Sequence, residues 1–229
     1  MLITIFIIVV LIISAIFHEY AHGWVAYKLG DNTAKDMGRL TLNPIAHLDP
    51  VGSILLPLLL VLSKTGFILG WAKPVPYNPY NLRDQKYGDL KVAMGGPATN
   101  FLIALFFGLL ARLLPLAQGT KSYLATSFMV GNYDQLLTQM QGSYITSVFV
   151  LAVIICFVNL LLMIFNLLPI PPLDGSKIFL SFLPYNAQVK FHQLEAYGFF
   201  IIIILLWLGV FSYVVYPILL FLFSLMVGV

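Results

Sequence analysis

His18, Glu19 and His22 are the residues of this chain whose types and spacing could do chemistry. Positions i and i+4 of a helix lie on one face. The two imidazoles can therefore grip one metal ion, with Glu19 beside them to activate a water. His-Glu-x-x-His on a helix is a zinc hydrolase pattern. It stands in unusual company, because Leu2 to Phe17 carries no charge and the whole chain has only four His and two Glu. Ionisable groups at bilayer depth are costly and usually functional. Three of them on one such helix argue for a metal over packing.

The elements that must position these groups are membrane helices. The chain is 60% hydrophobic and 9% charged, with a mean hydropathy of +0.95, far from the quarter of charged residues usual in soluble domains. A span needs about 20 apolar residues, and segments near 2–27, 91–115, 145–168 and 197–227 qualify. The fold class expected is an all-α polytopic membrane protein, a single core domain over 1–229 with about four transmembrane helices. The last span is long and contains Pro217, which predicts a tilt or kink. The shorter apolar run Val51 to Leu62 predicts a re-entrant or hairpin segment within 51–90. The N-terminal stretch lacks a basic leader and a small-residue cleavage site, so it reads as a retained span. Cys156 is the single cysteine and excludes an intrachain disulfide. The net charge of +3 is spread over loops, with no stripe suited to nucleic acid.

Four spans place Lys28, Lys35, Arg39, Lys64, Lys73, Arg83, Lys86, Lys91, Lys177 and Lys190 on one side, against Arg112 and Lys121 on the other. The positive-inside rule makes the first side cytoplasmic and leaves both termini outside. Three polar motifs then share the cytoplasmic level: His18 to His22, the segment Asn166 to Gly175 at the end of span 3, and Gly95 to Asn100 at the mouth of span 2. Catalytic zinc commonly takes three protein ligands and keeps a position for water. Asp174 is the third-ligand candidate, since Pro169, Pro171 and Pro172 break the helix before it and unwound backbone at that depth lines a cavity. Glu19 is the expected proton acceptor, and Asn166 a donor to an oxyanion. His192 reads as a packing residue, while His47 is open to either role.

These residues resemble the site-2 proteases, the intramembrane zinc metalloproteases of peptidase family M50. The matching motifs are His18-Glu-x-x-His22 and Asn166-x-x-Pro169-x-Pro171-x-Leu173-Asp174-Gly175, with Gly96-Pro97-x-x-Asn100 and Asn43-Pro44-x-x-His47-x-Asp49-Pro50 beside them. The resemblance implies one Zn2+ per chain held by His18, His22 and Asp174, Glu19 as catalytic base and Asn166 supporting the transition state. It implies cleavage of single-span membrane proteins within or near the lipid bilayer, in the bacterial inner or plasma membrane. The loop near 116–144 is too short for the PDZ or CBS domain of many relatives, so a minimal member is expected.

Such a core must hold its substrate itself. Asn100, Gly96 and Pro97 are the substrate-binding candidates. The stretch Gly70 to Tyr80, rich in Pro and aromatics, is either an edge for strand addition or an interfacial loop anchored by its aromatics. Two other classes compete: a zinc carrier, for which no internal repeat is visible, and a non-catalytic membrane scaffold.

Overall fold

The computed structural model describes residues 1–55, 59, 73–192 and 197–229. They form helices and connecting segments, with no strand among the described residues. The all-α expectation holds. Most of the run predicted to re-enter the membrane, and the start of the stretch Gly70 to Tyr80, lie outside the described residues.

Two compact units make up the chain: residues 12–96, and residues 1–11 together with 97–229. In the first, α1 (Leu2–Lys28) ends where Gly30 takes a positive φ of 107°, a left-handed terminus that suits glycine. Two short helices follow, α2 (Thr33–Asp36) and α3 (Pro44–His47), then a π-helical turn at Pro50–Leu55. Residues 73–78 are neither helix nor strand and lead into a 3₁₀ turn at Pro79–Asn81. Asp84 accepts from the Lys86 and Tyr87 amides, and α4 (Gly88–Leu113) starts there. That start is earlier than the sequence suggests. Gly95 to Asn100 therefore lie inside the helix and not at its mouth, with Pro97 accommodated mid-helix.

The second unit is built around α7 (Tyr144–Asn166), whose Phe149, Ile154 and Leu160 are fully buried. Its N-terminus is capped by Ser143, whose side chain accepts from the Thr146 amide. The segment expected as an outer loop forms two helices, α5 (Gln118–Met129) and α6 (Tyr133–Gln141). Leu124, Phe128 and Leu136 pack them into the same core as α7. After α8 (Asp174–Leu180) and α9 (Tyr185–His192) comes α10 (Gly198–Trp207), then a π-helical turn at Phe211–Val215 and α11 (Tyr216–Val227). The His192 side chain lies outside the described residues.

Among the described residues three helices, α1, α4 and α7, are long and apolar enough to cross a membrane. Gly198–Trp207 and Phe211–Val227 supply a fourth span if counted together, and they meet at 74°. The bend falls at Gly209, with φ 75°. Pro217, the expected kink, lies two residues after the π-helical turn, near the start of α11.

Candidate metal and catalytic site

One helical turn sets the donors. His18 Nε2 and His22 Nε2 are 3.0 Å apart, and both residues are buried. His22 Nδ1 donates to the Val92 carbonyl at 2.7 Å, which leaves Nε2 of the neutral ring as the lone-pair nitrogen. Zinc–nitrogen bonds of about 2.0–2.1 Å in a tetrahedral site put neighbouring ligand nitrogens about 3.3 Å apart. The histidine pair is close to that spacing.

Gly96 keeps the space at those nitrogens open. A Cβ at this position would lie 2.4 Å from His22 Nε2 and 2.5 Å from His18 Nε2. Glycine therefore belongs here because α4 must approach the two rings, a role that the substrate-binding expectation for Gly96 missed. The neighbouring Gly95 allows the same approach, its Cβ position being 3.1 Å from the Ala21 carbonyl oxygen.

Glu19 is half-buried and its Oε2 accepts from the Val75 amide at 2.9 Å. Residues 73–78 are pinned along their length. The Lys73 amide donates to the His47 carbonyl at 2.9 Å, the Asn78 amide donates to Asp31 at 2.8 Å, and the Tyr77 hydroxyl bonds Asp89. Pro74 and Pro76 have no N–H. With Val75 held by Glu19, most amide donors of this segment already serve the protein itself. That favours a structural strap over the edge imagined for strand addition. His47 falls to the same purpose: it is buried, and its Nε2 donates to the Thr41 carbonyl at 2.7 Å.

Asp31 is the hub of this strap, and sequence reasoning passed over it. It is fully buried, accepts from Asn78 and Asn81, and takes both the amide and hydroxyl of Thr33. Burial pushes its carboxyl up, but the hydrogen bonds from Thr33, Asn81 and Asn78 outweigh it and hold the pKa below the ordinary value. A depressed folded pKa contributes stability above the unfolded value of about 3.9, and loses it as pH falls through the folded one. Asp31→Asn is therefore expected to cost about 1–3 kcal/mol at neutral pH. Thermal unfolding in detergent should show the gap to wild type narrowing below about pH 4.

In the other unit, Asp174 opens α8, and backbone contacts set its position. A Cβ on Gly175 would lie 2.3 Å from the Leu167 and Leu168 oxygens, and one on Gly198 would lie 2.2 Å from the Pro171 oxygen. The unit of residues 12–96 thus offers two imidazole nitrogens, of His18 and His22, and the other unit offers the Asp174 carboxylate. This donor set, two imidazoles and a carboxylate, suits zinc.

The remaining candidates have partners of their own. Asn166 Nδ2 donates to the Leu162 carbonyl at 3.0 Å, a bond to its own helix. Asn100 is fully buried and donates to Asn159 Oδ1 at 2.9 Å, while Asn159 Nδ2 donates to Ile155. Amide pairs of this kind tie membrane helices together. Asn159 was visible as a lone amide in an apolar run, but not its partner. Pro97 is buried within α4.

The model of peptidase family M50 matches residues 6–209. YwhC of Bacillus subtilis (strain 168), provisionally named a zinc metalloprotease, is 37% identical over 214 residues, covering 93% of this chain and 85% of that protein. Rip2 of Mycolicibacterium smegmatis (strain ATCC 700084 / mc(2)155), provisionally named likewise, is 27% identical over 85% of this chain and 64% of its own length. Rip2 of Mycobacterium tuberculosis (strain ATCC 25618 / H37Rv) is 24% identical over 72% of this chain and 52% of its own. No solved structure gives a significant match. The chain belongs to peptidase family M50, a multi-pass membrane metalloprotease whose implied cofactor is Zn2+.

Proposed function

We propose that this protein is a site-2-type endopeptidase that cuts single-span membrane proteins within or near the bilayer. The observation that carries the reading is the paired, buried imidazole nitrogens of His18 and His22 on a membrane-length helix, with Glu19 between them in sequence. His18, His22 and Asp174 hold one Zn2+, which when bound supplies Lewis acidity at the scissile carbonyl. Glu19 takes a proton from the attacking water and returns it to the leaving amine. Asn166 can aid the oxyanion only by releasing the Leu162 carbonyl. Full burial gives Asn100 to helix bracing more readily than to substrate. The site faces the cytoplasm and both termini lie outside, in accord with the distribution of Lys and Arg.

Metal analysis of detergent-purified protein tests the ligand set. Wild type should carry about one zinc per chain, and Asp174→Ala should lose most of it. A probe for activity is a single-span peptide with a fluorophore and quencher flanking its span, co-reconstituted in liposomes. Metal-free wild type, or zinc flux without cleavage of any such peptide, would overturn the proposal in favour of a scaffold or a carrier.

A further inference from the structure

Arg39 lies outside the metal and catalytic set, yet it reaches toward Glu19 through one peptide group. Its Nη2 donates to the Lys73 carbonyl at 2.9 Å and to the Pro74 carbonyl at 3.3 Å. The Pro74 carbonyl and the Val75 amide belong to the same planar peptide unit. The amide end of that unit donates to Glu19 Oε2 at 2.9 Å. A cation therefore holds the oxygen of the Pro74–Val75 peptide while a carboxylate holds its hydrogen.

We infer that Arg39 is a positioning residue for Glu19, acting through the Pro74–Val75 peptide. The inference rests on the reading of Glu19 as catalytic base. Two physical effects point the same way. Hydrogen bonds in a chain polarise one another, so a guanidinium on the carbonyl strengthens the amide as a donor to the carboxylate. The guanidinium also fixes where that donor points, because planarity ties the N–H direction to the C=O direction. Pro74 and Pro76 restrict φ on either side of Val75, leaving the peptide little freedom to turn from Glu19. Val75 itself is buried, and its Cγ1 lies 2.8 Å from where a Cβ on Gly23 would be. Gly23 is one turn along α1 from Glu19, and a larger residue there would lift the segment from the helix.

The test needs a readout that fold stability alone would not move. Protein labelled with 15N-valine in detergent gives the Val75 amide as one resonance, assigned by its loss in Val75→Ile. A donor to a carboxylate resonates downfield. The expected result is an upfield move of the Val75 proton in Glu19→Gln and again in Arg39→Gln, with the remaining valine signals unmoved. In liposomes Arg39→Gln should lower kcat on the quenched peptide about tenfold, the range that outer-shell partners command. KM and zinc content should stay as in wild type, and Arg39→Lys should recover part of the loss. The double variant Arg39→Gln/Val75→Pro should be no slower than Val75→Pro alone. An unmoved Val75 resonance in Arg39→Gln would overturn the inference, as would fully additive effects in the double variant. Should Val75→Pro not fold, the resonance and the KM-against-kcat split still decide. Cleavage that persists in Glu19→Gln would instead reject the base assignment on which the inference rests.

Discussion

Glu19→Gln is expected to slow cleavage of the quenched single-span peptide by about 10²–10⁴-fold, the range that a general base contributes, while zinc stays at about one per chain. The two readouts separate because the zinc ligands proposed above are His18, His22 and Asp174, and Glu19 is not among them. The glutamine keeps the shape and an acceptor oxygen for the Val75 amide, so the segment 73–78 should not be displaced. What it loses is the capacity to hold a proton between attack and amine departure. A variant that still cuts at the wild-type rate would reject water activation by Glu19. One that stops cutting because zinc is lost would show that Glu19 helps to build the site.

Gly96→Ala should have the second large effect, on metal instead of turnover. The added methyl would stand 2.4–2.5 Å from His22 Nε2 and His18 Nε2, inside van der Waals contact and in the space a ligand-bound ion needs. Zinc affinity is expected to fall by at least about 100-fold, the upper end of what changes around a metal site produce. Isothermal titration with Zn2+ on protein stripped by a chelator measures this directly. Gly119→Ala is the matched control, because nothing lies within 4 Å of a Cβ there. Alanine is also the better helix former. Unchanged affinity in Gly96→Ala would mean that α4 can withdraw from the two histidines without disturbing them.

The histidine pair was legible because its geometry is local in sequence. His18 and His22 are one turn apart, so their convergence follows from helix geometry, and their charge-free surroundings mark them out. The long apolar runs gave the spans because a bilayer demands that length. Other features depend on which backbones touch. Gly96 reads as an ordinary small residue until it is seen against two imidazole rings. The bond from Val75 to Glu19 joins residues 56 positions apart through a main-chain donor, which any residue but proline could offer. Asn100 looked like a residue at a helix mouth only because the start of α4 was placed too late. The helices α5 and α6 were missed because their apolar positions are sparse and meaningful only against α7. Pro217 stood out as the place for a kink, while Gly209, where the chain bends, carried no such weight.

That bend has a consequence for how the protein fits its membrane. A straight helix from Gly198 to Val227 would be about 45 Å long at 1.5 Å per residue, half as long again as the hydrocarbon core of about 30 Å. Turning by 74° between Trp207 and Phe211 lays one limb nearly sideways. If the longer limb stands upright it covers about 25 Å of depth, and the shorter limb of about 15 Å adds only about 4 Å more. The total is about one bilayer. The surplus apolar length runs along the membrane instead of protruding from it, and the surrounding lipid need not thicken to cover it.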